Sequence, residues 1–346
     1  MIWCSTNNDF ILTIMAKKKA AKKVTVEVES KQAAKELPKT PKTPKTRKTA
    51  RKRPGRPAPP DFTDYGVVDK NFGAAADPAK SLPSLHHFLE VKAKEVLGED
   101  YRVIYLYDAH SPISEYTADR IYSSLQSGEI NKLLLVVHSG GGSIEPAYLI
   151  SKCCRDHCNE FHVGVPRRAK SAATLIALGA DKIHMGSMSE LGPIDPQIGG
   201  LPALGLANAL KCLSELNAAS PESSEMFAAY LKDQLPLPLL GYYERVSESA
   251  CQYAERLLKD NPSAATIAKS LVYDYKDHSF VIDQEEAADV LGPKIQSDTV
   301  EYQFSSLMHT VMEKVSVLLY IHHDKDLSFV GTSPYEMRLT DLKPRP

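Results

Sequence analysis

The sequence has no apolar run of the roughly 18–20 residues that a membrane-spanning helix needs. Its first fifteen residues also have no basic segment ahead of their apolar part, which argues against a secretory signal peptide. Cysteine is sparse, with six in 346 residues. That number excludes a small disulfide framework and favours a reducing compartment. We therefore predict a cytoplasmic protein without a membrane span.

The formal net charge is only −1, but it is unevenly distributed. Residues 16–56 hold sixteen Lys or Arg against three Glu, a net charge of +13, whereas residues 57–346 carry −13. The basic part consists of Lys, Ala, Thr and Pro with few apolar side chains, so we predict that residues 1–60 form a disordered tail. Residues 16–57 would then be able to contact DNA non-specifically through its phosphates.

Within the tail, RKRPGRPAPP (51–60) resembles an AT-hook, a motif whose Arg-Gly-Arg-Pro core binds the minor groove of A·T-rich DNA. Here Pro54 interrupts that core between Arg53 and Gly55. The alternative is a solvated basic tail that binds no particular DNA sequence.

After a lead-in segment at 61–100 with a helical pattern, apolar strands and helices alternate along the chain. Strands are predicted at 101–108, 132–139, 161–165 and 182–186, and helices at 114–127, 144–157 and 171–180. From about residue 200 the pattern is helical. Continuous apolar strands that alternate with helices predict an α/β fold with a mostly parallel sheet covered on both faces.

Three consecutive glycines in HSGGGSIEPA (138–147) follow one predicted strand and precede a helix. Glycines at such a turn let backbone N–H groups approach an incoming oxygen closely. The spacing fits neither a Walker loop nor G-x-G-x-x-G, so a cradle for an oxyanion is favoured over nucleotide binding. A plain strand-to-helix turn is the alternative.

The next helix begins at Ser171, in AKSAATLIALGAD (169–181), and is apolar on every side. A serine at a helix N-terminus is most often a capping residue. A Gly-rich loop on one strand followed by a serine at the start of a buried helix, however, is also the arrangement of an acyl-transfer site.

These two segments carry a family resemblance. SGGGSIEPAYLI resembles a segment of Clp-type proteases and signal peptide peptidase A, and the run from Val165 to Gly199 resembles the serine dehydrogenase proteinases, a branch of the Clp/crotonase fold. HSFVIDQEEAADVLGPKI (278–295) is similar to that family's His-x-Phe-x-Ile segment. The resemblance covers residues 100–320. It implies stacked ββα units with a helical C-terminal region, within a peptidase domain at 101–325 followed by an extension at 326–346.

The resemblance also implies a function: hydrolysis of peptides or proteins through an acyl-enzyme on Ser171, by a homo-oligomer without cofactor or metal. The oxyanion donors would be the backbone N–H groups of Gly141 or Gly142 and of Ala172. The family's proline in the first loop is replaced by Gly140 here.

The general base is left open by the sequence. Lys170 adjoins the serine, but neighbours at a helix start point in different directions. The resemblance to signal peptide peptidase A suggests a downstream lysine, Lys211 or Lys232, and the resemblance to Clp protease suggests a histidine near His184. His138, just before the glycine loop, is the fourth candidate.

Glu190 and Asp195 are further polar candidates, in a loop rich in proline and glycine. The cysteines of KCCRDHC (152–158) lack C-x-x-C spacing, so no metal site is predicted there. Two other functions stay open: an inactive Clp-fold scaffold tethered to DNA by its tail, and acyl-CoA chemistry of the crotonase type.

Overall fold

The computed structural model describes residues 57–126, 128–198, 201–203, 205–234 and 237–342. Residues 1–56, which include the AT-hook-like core except Pro57 and almost all of the predicted basic tail, lie outside these ranges.

The centre of the fold is a nine-stranded sheet. Its main strands are β1 (Tyr101–Asp108), β2 (Ile130–Ser139), β3 (Cys158–Gly164), β5 (Lys182–His184), β9 (Ile295–Gln296), β10 (Lys325–Gly331) and β11 (Met337–Asp341). Their order is β11-β10-β1-β2-β3-β5-β9, and the short strands β4 (Arg168–Ala169) and β6 (Glu190–Leu191) extend from β2. Along this order, each pair of neighbours from β1 through β2, β3 and β5 to β9 is parallel. A separate two-stranded ribbon consists of β7 (Gln197–Ile198) and β8 (Leu201–Pro202).

Helices cover both faces of the sheet. They are α1 (Tyr65–Phe72), α2 (Pro78–Leu97), α3 (Glu115–Leu125), α4 (Ile144–Asp156), α5 (Ala172–Leu178), α6 (Gly205–Ala219), α7 (Ser224–Gln234), α8 (Leu237–Leu257), α9 (Ala264–Tyr273), α10 (Gln284–Leu291) and α11 (Val300–His323). None of them, in the described part of the chain, is both long and apolar enough to cross a membrane.

Strand β2 separates two hydrophobic clusters because its side chains alternate between the faces of the sheet. Leu133, Leu135 and Val137 pack with α3, α4, α5, α8 and α9 on one face. Leu134 and Val136 pack with α1, α2 and α11 on the other. The predicted α/β fold with a mostly parallel, doubly covered sheet is confirmed.

The last strands differ from the sequence-based prediction, which gave no strands after residue 186. Residues 325–341 form β10 and β11, which add to the β1 edge in antiparallel orientation. In β10 buried residues alternate with partly exposed ones, and the buried ones are Leu327, Phe329 and Gly331. A half-buried strand of this kind gives a weaker signal than the fully apolar runs of the central strands.

Candidate active site

Ser171 immediately precedes α5 with backbone angles φ 53° and ψ −119°. Positive φ is uncommon for a residue with a side chain and costs on the order of 1–3 kcal/mol, so it persists only where the surrounding structure imposes it. Among the described residues, Asp298 and Asp324 are the other non-glycine positions with positive φ. The Ser171 side chain makes no capping hydrogen bond. Ser171 therefore occupies the N-cap position without performing the capping role.

Helix α5 is held rigidly behind the serine. All seven of its side chains are buried. The hydroxyl oxygen of Thr174 lies 2.7 Å from the carbonyl oxygen of Ala169 and 2.8 Å from that of Gly192, so its one hydrogen can donate to either. It also accepts from the N–H of Gly192. At the other end, the ammonium of Lys294 donates to the carbonyl oxygen of Leu178 at 2.8 Å. Burial lowers the pKa of Lys294 to about 8.

The glycine loop lies directly against Ser171. A Cβ added at Gly141, where φ is +104°, would lie 2.8 Å from the Cβ of Ser171 and 2.8 Å from the carbonyl oxygen of Lys170. One added at Gly142 would lie 2.3 Å from the backbone nitrogen of Ile113. Glycine is therefore required at both positions, because a side chain would collide with the serine at Gly141 and with the backbone of Ile113 at Gly142.

Two backbone donors of the loop and helix are unengaged. The N–H of Gly141 donates to the hydroxyl of Ser139 at 3.2 Å, so that donor is occupied. The N–H groups of Gly142 and Ala172 have no hydrogen-bond acceptor among the described residues. Gly142 is exposed, whereas Gly141 is buried. Of the two glycines proposed as donors from the sequence, Gly142 is the one whose N–H is available.

Lys170 has its charge engaged elsewhere. Its ammonium lies 3.0 Å from a carboxylate oxygen of Glu190, which also pairs with Arg167 at 3.2 Å. The same ammonium donates to the carbonyl oxygens of Leu191 and Phe280. Lys170 thus ties two loops to the start of the serine helix, and Glu190 is the carboxylate that balances its charge.

The loops that Lys170 joins carry a His–carboxylate pair. Nδ1 of His278 lies 2.8 Å from Oδ1 of Asp195, which is only 5% exposed. Reciprocal backbone hydrogen bonds between Leu191 and Ile282 bring the two loops together. The His278 side chain is 28% exposed. Neither its Nε2 nor the Ser171 hydroxyl has a hydrogen-bond partner among the described residues.

The four base candidates from the sequence lie elsewhere. Lys211 on α6 and Lys232 on α7 are exposed, and no hydrogen bond or ion pair joins either to Ser171 in the described ranges. His138 stacks on Tyr107 at 4.7 Å on the sheet face covered by α11, the face opposite α5. Burial lowers the pKa of His138 to about 3.

His184 also lies on the α11 face. Its ring nitrogens are 2.9 Å from Nδ1 of His162 and 2.8 Å from the hydroxyl of Thr299. Burial lowers the pKa of His184 to about 4. The structure therefore brings none of the four candidates to Ser171, and it places His278 in the neighbouring loop instead. The His-x-Phe-x-Ile resemblance that begins at His278 was the sequence signal that could have identified this residue.

The described structure thus combines a mostly parallel α/β sheet with a strained serine at the start of a buried helix and a glycine loop packed against that serine. The model of the family described as "ClpP-like SDH-type serine proteinase" matches residues 118–221, a segment that contains both the glycine loop and Ser171. The resemblance to this family that the sequence predicts is confirmed over that segment.

Two curated relatives come from Methanocaldococcus jannaschii. Uncharacterized protein MJ0137 is 31% identical over 207 residues, which is 59% of this chain and 64% of that protein. Uncharacterized protein MJ1495 is 37% identical over 75 residues, 22% of this chain and 26% of that protein. The chain thus spans less than two thirds of the length of either relative.

Solved structures with similarity to the chain include proteases. A mutant of the 1510-N membrane-bound stomatin-specific protease in complex with a substrate peptide is 15% identical, with a TM-score of 0.39 and coverage of 70% of this chain and 86% of that one. A mutant of ClpP1 from Listeria monocytogenes is 15% identical, with a TM-score of 0.35 and coverage of 61% and 98%.

Proposed function

We propose that the protein is a serine peptidase in which Ser171 attacks a peptide carbonyl and His278, oriented by Asp195, acts as general base. The observation that carries the proposal is the backbone of Ser171. Its positive φ costs free energy that no hydrogen bond of the side chain offsets, since the hydroxyl neither caps the helix nor bonds a described residue. Strain of this kind is typical of nucleophiles on sharp strand-to-helix turns.

The His278–Asp195 pair supplies an oriented proton acceptor, which a serine nucleophile needs. Asp195 accepts a hydrogen bond from Nδ1–H of His278, which leaves the lone pair on Nε2 to receive the serine proton. The resulting imidazolium is stabilised by the buried carboxylate, and it then protonates the leaving amine. Water attacks the acyl-enzyme with the same histidine as base. The proposal requires Nε2 of His278 to reach the serine hydroxyl in the substrate complex, since catalytic hydrogen bonds often tighten only when substrate binds.

The oxyanion is assigned to the two unengaged backbone donors, those of Gly142 and Ala172. Negative charge develops on the carbonyl oxygen in the tetrahedral intermediate, and fixed N–H groups stabilise it without reorganisation. The packing of Gly141 against the Ser171 Cβ supports this assignment, because it holds the loop beside the proposed nucleophile.

A fluorophosphonate probe tests the proposal. Wild-type chain is expected to be labelled on Ser171, and Ser171→Ala is expected to lose labelling and peptide hydrolysis while keeping its circular dichroism spectrum. Ser143→Ala, in the exposed end of the same loop, is the matched control and should be labelled as wild type. Absence of labelling in folded wild type would favour the inactive scaffold. Turnover of acyl-CoA that survives Ser171→Ala would favour crotonase-type chemistry.

A homo-oligomer is proposed on different grounds. Helices α6 and α7 have no buried side chain among those described, and they expose Leu216 and Met226. Helices of this length are marginal in water without an apolar contact, so a second copy is expected to cover them. Light scattering should give a mass above one chain, and Leu216→Glu with Met226→Glu should lower it; a monomeric wild type would contradict the proposal.

The DNA contact of residues 16–57 remains a prediction. Retention of the full chain on DNA that is lost in a chain of residues 58–346 would support it, and retention by the shorter chain would refute it.

A further inference from the structure

Three metal-ligating side chains converge on the sheet face opposite Ser171. His138 lies near the end of β2, and His309 and Glu313 lie on α11. One ligand atom from each lies within 4.8 Å of the other two. His309 and Glu313 are four residues apart, so both project from one side of the helix. A pair of ligands at this spacing on a helix, completed by a third from another element, is a recurrent way to build a zinc site.

The stacking of His138 on Tyr107 does not account for its polar ring nitrogen. It is 5% exposed, and its Nδ1 is buried without a hydrogen-bond partner in the described part of the chain. Buried polar atoms are nearly always paired, so an unpaired imidazole nitrogen indicates a missing partner. The rings of His138 and His309 are 4.9 Å apart between centroids, and one nitrogen of each lies within 4.8 Å of the other.

Tyr107 contacts both His309 and Glu313 through its hydroxyl, as an outer hydrogen-bond partner of metal ligands does. Its oxygen lies 2.7 Å from Nδ1 of His309 and 3.2 Å from a carboxylate oxygen of Glu313. One arrangement of protons satisfies both contacts: Nδ1–H of His309 donates to Tyr107, and the Tyr107 hydroxyl donates to Glu313. The lone pair of His309 is then on Nε2. Outer hydrogen bonds of this type fix the tautomer of a metal-binding histidine.

The cluster is accessible. His138, Tyr107 and Glu313 line a cavity of about 430 Å³, together with His110 and Asp326. The side chain of Glu313 is 53% exposed and that of His309 is 17% exposed. An ion can therefore enter from solvent, and a water molecule or a ligand in the cavity can complete its coordination.

The other group of potential ligands is different. His162, His184 and Glu301 also lie close together, but they are buried and already bonded. The two histidines bond to one another, His184 also bonds to Thr299, and Glu301 accepts from Tyr101. Their hydrogen bonds account for the arrangement without an ion.

We propose that His138, His309 and Glu313 bind one divalent transition metal ion, with Zn²⁺ as the preferred ion and an open position facing the cavity. Two imidazoles and a carboxylate suit Zn²⁺ and disfavour Mg²⁺ or Ca²⁺, which take oxygen ligands. This site is independent of the proposed peptidase chemistry, because Ser171 and its helix lie on the opposite face of the sheet.

The test uses tag-free full chain stripped of metal with a chelator. Equilibrium dialysis against Zn²⁺ with elemental analysis should give one ion per chain, and substitution by Co²⁺ should give the visible absorption of a tetrahedral site. Loss of an outer hydrogen-bond partner alone lowers metal affinity by about 10- to 100-fold. Tyr107→Phe is expected in that range, and His309→Ala and Glu313→Gln are expected to weaken binding at least as much.

His110→Asn is the matched control, a histidine of the same cavity outside the set of three, and should bind Zn²⁺ as wild type. Glu313→Gln changes a largely exposed side chain, so it tests the site even if the His309 variant fails to fold. No stoichiometric Zn²⁺ in the wild type would overturn the proposal. So would undiminished binding in folded Glu313→Gln, which would assign the ion to other residues.

Discussion

The Oδ1 atom of Asp195 lies 2.8 Å from Nδ1 of His278, although 83 residues separate the two in the chain. The contact depends on the Lys170 ammonium and on the Leu191–Ile282 backbone pair, which hold both loops beside the serine helix. A partly exposed histidine gains a fixed orientation from a buried carboxylate in this way, which is the relationship that a general base requires.

Replacement of His278 is the sharpest test of this pair. His278→Gln is expected to lower kcat for peptide hydrolysis by about 10²- to 10⁴-fold, the usual contribution of a general base. Asp195→Asn should also lower kcat, because it favours the wrong tautomer of the histidine. His322→Gln, at an exposed site on α11, should leave kcat unchanged. A folded His278→Gln with wild-type kcat would remove His278 from the mechanism.

A side chain added at Gly141 should collide with the serine. Gly141→Ala would place its Cβ 2.8 Å from the Ser171 Cβ and from a backbone oxygen, so it should abolish probe labelling and lower the free energy of unfolding. Gly128→Ala is a matched control, since Gly128 also has positive φ (+75°) but nothing within 4 Å. It should lose only about 1–2 kcal/mol, the left-handed conformational cost, and keep full activity. An equal loss of unfolding free energy in the two variants, measured by denaturant titration, would contradict the close packing of Gly141 against Ser171.

Removal of the Thr174 hydroxyl should lower the stability of the fold. Thr174→Val keeps the shape of the side chain but leaves the N–H of Gly192 without its hydroxyl partner in a fully buried site. The free energy of unfolding should fall by about 1–3 kcal/mol. Thr310→Val removes a hydroxyl that bonds a helix carbonyl at an exposed position, and it should change stability little. Urea titrations that show no difference between the two would refute the anchoring role.

His184 predicts a pH dependence of stability. Burial lowers its pKa to about 4, while Glu301 favours and His162 and Lys182 oppose its protonation. The unfolded chain, with an ordinary histidine pKa of about 6.5, binds the proton more readily between pH 6.5 and 4. Stability should therefore fall as the pH drops through that window, by up to about 3 kcal/mol from this residue.

Chemical denaturation at several pH values checks this. His184→Asn should be less stable than wild type at pH 7 but should lose less stability on acidification. His322→Asn, with an exposed ring, should follow the wild-type slope. A His184 variant with an unchanged slope would show that the residue does not titrate in this way.

The sequence predicted the central strands and the serine helix well, because each is an apolar segment bounded by turn residues. Strand β1 has the predicted bounds, 101–108. Strands of two residues such as β4 and β9 cannot be predicted, since backbone pairing rather than composition defines them. The glycine loop and Ser171 lie 30 residues apart in one recognisable pattern. His278 was missed because its partner Asp195 is distant in sequence, and only folding brings them together.

Lys294 has a consequence for how the molecule matures. It binds the carbonyl end of the serine helix from more than a hundred residues downstream, and His278 also arrives late in synthesis. While these residues are still inside the ribosome, the chain already contains Ser171 and the residues of its helix. It still lacks the contact from Lys294 and the proposed base, His278. On the proposed mechanism, the serine would therefore have no general base until His278 has emerged from the ribosome.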